Sequence, residues 1–324
     1  MTALSRHIRS VPVSVLIALV FFVVCALFVP RFANPGNLEN VARIAAILAI
    51  VACGQAIVLI LGGIEFSFGS SVALASVVTV MLLPSVGPVA AFLAGVVVVV
   101  LVGVLNATLI AGIGLPAVVV TLGTLMIGHG LASSLAGGLP IDAAPSMLFR
   151  WPAVGEVMGI PVAVLLAAIA LLCLWGLLAH TELGRRFYLV GANASAARLS
   201  GIGVKGTLFT GYVLAGLFAG VASVILTSRV GSGQPNLMPD LPFQTIAACA
   251  IGGIPLTGGR GSAIQVIAGV AIIAMLNNAV VLLNYPVAIQ QLLIALVIVV
   301  SVVMQRLAAG FSVDLQILFK GARR

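Results

Sequence analysis

The chain has 324 residues, 62% of them hydrophobic and 7% charged, with mean hydropathy +1.31 and a formal charge of +8. A soluble domain of this length has too little interior to hide that much apolar surface, whereas a bilayer takes it up in spans of about 20 residues. The positive balance sits in short connections between apolar runs, so membrane topology explains it better than nucleic-acid binding does.

In chain order, apolar runs predict helices near residues 11–30, 41–61, 67–83, 87–110, 116–136, 160–180, 206–228, 243–254, 262–284 and 287–308. The fold class is therefore all-α, a polytopic membrane protein of about ten helices. The first run has the length of a signal peptide, but VPRFANPG follows it instead of a small-residue cleavage site, so it reads as a retained helix. The eighth has only twelve residues and borders Gly252, Gly253 and Pro255, which suits a broken or re-entrant element. Residues 137–159 form the longest connection, rich in Gly and Pro, with an interfacial segment expected around Trp151. About ten residues precede the first run and about sixteen follow the last, so residues 1–324 read as a single transmembrane domain without a receptor or nucleotide-binding module. GGIEFSFG at 62–69 and GGIPLTGG at 252–259 echo each other. A chain with 36 glycines produces such an echo by chance about as readily as by internal repetition.

Lys and Arg accumulate in short cytoplasmic connections. Placing both termini inside puts Arg6, Arg9, Arg185, Arg186, Arg198, Lys205, Arg260, Arg306, Lys320, Arg323 and Arg324 in the cytoplasm, eleven of the fifteen basic residues. Arg31, Arg43, Arg150 and Arg229 are left outside. The connection at 181–205 is then cytoplasmic and that at 137–159 external. Cys25, Cys53, Cys173 and Cys249 all fall in apolar context without CxxC spacing and read as buried small hydrophobes.

The seven acidic residues and the three histidines are scattered, with no DDxxD or HExxH. No catalytic residue, metal site or cofactor is expected. GGRG at 258–261 lacks the spacing and lysine of a phosphate-gripping loop, so the chain is not expected to bind ATP itself. Glu65 is the acidic residue to single out, since IEF lies just where the second run finishes. It reads either as a helix-boundary cap or as a proton or ion site.

The stretch Asn193–Gly201, NASAARLSG, has the composition of a short helix. Asn193 suits an N-cap, Ala194, Ala196 and Ala197 are good helix formers, and Gly201 suits the stop after Arg198, Leu199 and Ser200. It fits equally a solvated connection and a helix docking into a partner ATPase.

GRRFYLVGANASAARLSGIGV resembles the cytoplasmic loop of the ribose-type permeases of ABC importers, where G-x-x-x-x-A-x-G-x-N-x-x-A-A-x-x-S-G-I-x-V recurs. LILGGIEFSFGSSVAL is similar to that family's L-x-G-G-I-D-L-S-V-G-S-x-x-A-L, and PAVVVTLGTL to its P-A-F-I-x-T-L-G-x-L. QTIAACAIGGIPLTGGRGS resembles D-A-I-A-A-V-x-I-G-G-T-S-L-x-G-G-x-G, and with MLNNAVVLL the likeness runs from about residue 35 to 305. The resemblance implies a type II ABC-importer-like permease bundle in a bacterial inner membrane. It also implies dimerisation with a second permease chain, a cytoplasmic ATPase gripped at Asn193–Gly201, and a periplasmic binding protein that delivers a sugar. Glu65 stands where the family has Asp, and Pro242 and Gln244 replace an acidic pair, which removes negative charge near the expected path. Glu65, Ser67, Asn106, Thr121, Thr124, Gln244, Asn277 and Asn278, with Gln291, are candidates to line that path or to hydrogen-bond between helices. An ion-coupled secondary transporter is the alternative, and related permeases also carry nucleosides or branched-chain amino acids.

Overall fold

The computed structural model describes residues 12–144 and 146–321, with side chains as far as Gln305. Helix α1 (Val13–Phe28) leads through a turn at Arg31 into α2 (Pro35–Ile60). α2 starts at Pro35 and not at residue 41 because Asn34 Oδ1 accepts from Gly36 N at 3.0 Å and Pro35 suits the first turn. The cap, not the hydropathy, sets this boundary. α3 (Phe68–Ala107) is a hairpin of two arms reversed at Gly87, whose φ of 75° and ψ of 169° lie outside helical space. Gly95 of the second arm packs against Ala75 and Thr79 of the first. A π-helical turn (Thr108–Ile113) and Gly114 end the second arm.

α4 (Ala117–Ala136) stops at left-handed Gly137. β1 (Ile141–Asp142) precedes α5 (Met147–Val154), the short segment expected around Trp151, and a small ribbon of β2 (Glu156–Val157) and β3 (Ile160–Pro161) follows. α6 (Val162–His180), α7 (Glu182–Ala192), α8 (Ala194–Leu199) and α9 (Val204–Val230) come next. β4 (Ser232–Gly233) pairs antiparallel with β1, ahead of α10 (Leu241–Ile251), α11 (Ala263–Leu282) and α12 (Val287–Gly321).

Among the described residues, seven helices are long and apolar enough to cross a bilayer: α2, α3 with its π turn, α4, α6, α9, α11, and α12 as far as Gln305. The α3 hairpin supplies two of the expected runs, while α1 has 16 residues and α10 only 11. Ten is thus a count of apolar elements, not of full-length helical crossings.

Polar contacts sort the connections to two ends. At one, Arg43 pairs with Glu39 at 2.7 Å and Glu156 at 2.9 Å, and Arg229 donates to Asn40 at 3.1 Å. At the other, Tyr188 donates to Gly261 O at 2.7 Å beside Arg260, and Lys205 donates to Gly112 O at 3.1 Å. Pro12 lines a groove with Ser262 and Ile264 at this second end. α12 runs towards it, since Gln291 meets Asp240 whereas Gln305 meets Ala250. This cationic end therefore carries both limits of the described chain together with α7 and α8. Arg6, Arg9, Arg323 and Arg324 lie outside the described residues, and only the backbone is described at Arg306 and Lys320.

α2 is the axis of the core and is buried from Ala46 to Leu61. Small residues bring its neighbours close, as helices without a hydrophobic drive between them require. Gly54 lies against Ala215 of α9, and Gly103 of α3 against Gly216. Cys25, Cys53 and Cys249 are buried free thiols, whereas Cys173 is exposed on α6 and corrects its reading as a buried residue.

Candidate functional site: the coupling helices and the polar interior

The 181–205 connection is two capped helices. Thr181 Oγ1 accepts from Gly184 N at 3.0 Å to open α7, and Asn193 Oδ1 accepts from Ala196 N at 3.0 Å to open α8. Gly201 at φ 80° follows α8, and Ile202 N returns to Ala197 O at 3.0 Å. Asn193, Ala194, Ala196, Arg198, Leu199, Ser200 and Gly201 are exposed, Leu199 at 91%. Ala197 is the exception, only 4% exposed and packed into the core. Its side chain lies on the covered side of α8. Six residues are under two turns, so packing beneath the helix, not periodicity, decides which face is covered.

α7 meets the interior backbone to backbone. A Cβ on Gly191 would collide with Ile60 O, the last carbonyl of α2, and would crowd Gly259 N. Gly259 N donates to that same carbonyl at 2.8 Å, satisfying one of the orphan acceptors of a helix C-terminus. Gly258, at φ 87°, lies against Gly191 O and Gly62. The two echoing stretches, GGIEFSFG and GGIPLTGG, therefore end α2 and α10 and meet under α7. Their likeness has a local reason, since each needs glycine where backbones touch.

Glu65 is 2% exposed in the turn between α2 and α3. Its Oε1 accepts from Ser67 N at 2.7 Å and Ser67 Oγ at 2.6 Å, and its Oε2 accepts from Asn106 Nδ2 at 2.9 Å. A carboxylate there also suits the positive end of α3. Asn106 Nδ2 donates in addition to Ser67 Oγ at 3.1 Å, and Thr121 Oγ1 donates to Ile64 O at 3.2 Å. Phe68, Ser71 and Tyr212 close around the cluster and leave no room for a water. Asn106 Oδ1 and Tyr212 Oη are buried without partners. The geometry is that of a dry structural cap.

The remaining path candidates are held in separate polar contacts. Asn277 Nδ2 donates to Gln244 Oε1 at 3.1 Å, Asn278 Nδ2 to Asn37 Oδ1 at 2.8 Å, and Thr124 Oγ1 back to Val120 O at 3.1 Å. These sites, with the Glu65 cluster, divide the candidates among separate bonds, interhelical except for that of Thr124 within α4. Negative charge is not lost near α10 either: Asp240, at the head of that helix, accepts from Gln291 at 2.8 Å. Sequence reasoning overlooked Asp240, although Asp followed two residues later by Pro is a helix-start signal. It also overlooked Gln55, a fully buried amide with no partner on either atom.

A family described as the permease component of branched-chain amino acid transport systems matches residues 37–302. The chain belongs to this permease family. The ribose import permease protein RbsC of Bacillus subtilis is 35% identical over 289 residues, covering 89% of this chain and 90% of the relative. RbsC of Escherichia coli K12 is 31% identical over 293 residues, covering 89% and 91%. The L-arabinose transport system permease protein AraH of the same organism is 32% identical over 290 residues, covering 89% and 88%. No solved structure matches. In this multi-pass permease the family match begins within α2, so it takes in both glycine stretches and the coupling helices but leaves out α1.

Proposed function

We propose that this permease is the membrane-spanning subunit of an ATP-driven importer of a monosaccharide or related polyol. A separate ATPase subunit hydrolyses ATP, a periplasmic binding protein delivers the sugar, and a second permease chain, identical or different, completes the bundle. The cationic end, with both termini and α7–α8, faces the cytoplasm, and the 137–159 connection faces outward. The whole chain acts as one transmembrane domain in a bacterial inner membrane. The observation that carries the reading is the backbone contact of Gly191 with Ile60 and Gly258, which ties an exposed, capped pair of helices to the central helix. A push on α8 passes through α7 to the turn that holds Glu65, where α2, α3 and α9 converge. The relatives named for ribose and arabinose support a sugar as cargo.

Reconstitution with the ATPase and binding protein tests the proposal. Uptake of labelled D-ribose or L-arabinose is expected only with all components and ATP. Uptake by this chain alone, driven by a proton or sodium gradient, would sink it in favour of the ion-coupled reading.

Orientation is checked in a Cys173→Ser background, because that thiol is exposed. A cysteine at Ala196 is expected to react only with reagent on the cytoplasmic side, and one at Ser146 only from outside. The reverse pattern at either position would overturn the orientation.

Leu199 replaces Ala197 as the residue to alter at the docking face. Leu199→Asp is expected to weaken ATPase co-purification by at least about tenfold, as for an apolar interface anchor, with membrane insertion intact. Gly201→Val acts through conformation, forcing a β-branched residue into the left-handed region at a cost of about 1–2 kcal/mol. Wild-type association in both variants would return α8 to an ordinary connection.

A further inference from the structure

The chain between α9 and α10 leaves the surface and enters the protein without forming a helix. β4 pairs with β1, and Gly233 lies against Ser76 and Val77 of α3. Ser76 Oγ accepts from Gln234 N at 3.1 Å while donating to Ala73 O at 2.7 Å. Further along, the carbonyls of Met238 and Pro239 reach Gly69. From Val77 back to Gly69 along α3 is about 12 Å at 1.5 Å per residue. α10 then continues in the same direction, with Cys249 Sγ at 3.7 Å from Ala52 O and the following turn on Ile60. Residues 234–251 therefore descend as an irregular, turn-rich segment followed by a short helix.

Non-helical backbone at that depth is tolerated only where protein buries it or where it lines a water-filled space. A cavity of about 320 Å³ lies beside this segment, walled on the other side by His129 and Ser133 of α4. His129 Nδ1 is 3.2 Å from Pro235 O. Donation there leaves Nε2 as an acceptor turned to other partners. Gln234 spends its Nε2 on Ser232 at 3.1 Å and keeps its carbonyl oxygen free. Asn236 and Ser133 are exposed and offer donors and acceptors. Beyond the cavity, Asp240 is engaged by Gln291, and Phe66 and Phe243 approach to 5.9 Å between ring centres. The cavity lining contains neither a carboxylate nor a Lys or Arg. A zwitterionic amino acid would need fixed charges of both signs, whereas sugar hydroxyls need mixed neutral donors and acceptors.

We propose that this cavity, between His129 and Ser133 on one side and Gln234 and Asn236 on the other, is the permease's receiving site for a neutral polyhydroxylated solute. The assignment rests on the importer reading and adds the place and class of substrate recognition.

The test uses the full chain assembled with its ATPase and binding protein in proteoliposomes, again with Cys173→Ser. A membrane-impermeant methanethiosulfonate is expected to modify Asn236→Cys and Ser133→Cys at least about tenfold faster than Leu131→Cys, which is exposed on α4 outside the cavity and is expected to face lipid. Asn236→Leu and His129→Phe are expected to lower uptake of labelled D-ribose or L-arabinose, whichever the wild type imports, by about tenfold, the effect of losing one good hydrogen bond. ATPase co-purification should be retained in both. Labelling of Asn236→Cys no faster than Leu131→Cys overturns the proposal, as does wild-type sugar uptake in both substituted chains. Import of labelled leucine but of neither sugar overturns the ligand class. If the wild type imports none of the three, the importer reading is what fails, and the thiol rates still decide whether the cavity is open to water.

Discussion

Gly191→Val is expected to prevent the permease from being recovered as a monodisperse membrane protein. The new Cβ would meet Ile60 O, a backbone atom at the end of the most buried helix, with Gly259 N close behind it. No rotamer relieves a clash with backbone. Either α7 moves away or the Gly259–Ile60 hydrogen bond of 2.8 Å breaks. Overpacking costs about 1–3 kcal/mol, and a buried carbonyl left without its donor costs about 1–3 kcal/mol more. Gly176→Val is the matched control, because a Cβ at Gly176 meets nothing within 4 Å on an exposed part of α6. Size-exclusion profiles and thermal unfolding of the detergent-solubilised chains compare the two. A Gly191→Val chain that melts with the wild type would remove the close backbone contact on which the coupling route depends.

The second large effect is expected at Glu65. Glu65→Ala leaves Ser67 N and Ser67 Oγ without an acceptor, and Asn106 Nδ2 with only Ser67 Oγ, in a space that admits no water. Each orphaned donor costs about 1–3 kcal/mol, so loss of folded protein is expected. Glu65→Gln exchanges one acceptor oxygen for an NH2 group facing another donor, and a marked loss of yield is expected there too. Glu65→Asp is expected to be tolerated. An aspartate reaches the backbone N–H two residues on in an Asx turn and so keeps the Ser67 contact, although it falls short of Asn106. If Glu65→Gln instead assembles normally and loses only a pH-dependent step of uptake, Glu65 titrates during transport and is not a cap.

Local signals were legible where the physics is local. Asn193 opens α8 and Gly201 ends it, each through an atom three residues away. The short eighth run announced its irregularity through Gly252, Gly253 and Pro255. Burial within a six-residue helix was not legible: Ala197 is covered while its neighbours on α8 are exposed. Nor did polarity in apolar runs identify a path. Thr inside helices mostly bonds back to its own helix, as Thr124 does to Val120, and Asn bonds to a neighbouring helix, as Asn277 does to Gln244 and Asn278 to Asn37.

The amino-acid sequence by itself determined that this chain lives in a bilayer, which stretches are helical, and that its cations gather at a few connections. Hydropathy, caps and breakers act within a few residues, so those outcomes do not depend on the rest of the molecule. Tertiary structure decided that the two arms of α3 pack on each other at Gly95 and that the two glycine stretches meet beneath Gly191. It also decided that the segment after β4 runs inward beside α3. The bonds responsible join Ser76 to Gln234 across 158 positions and Ile60 to Gly259. Apolar spans are too alike to choose such partners from sequence. In a membrane the choice falls to close backbone packing and to polar groups that find one another only once the helices are assembled.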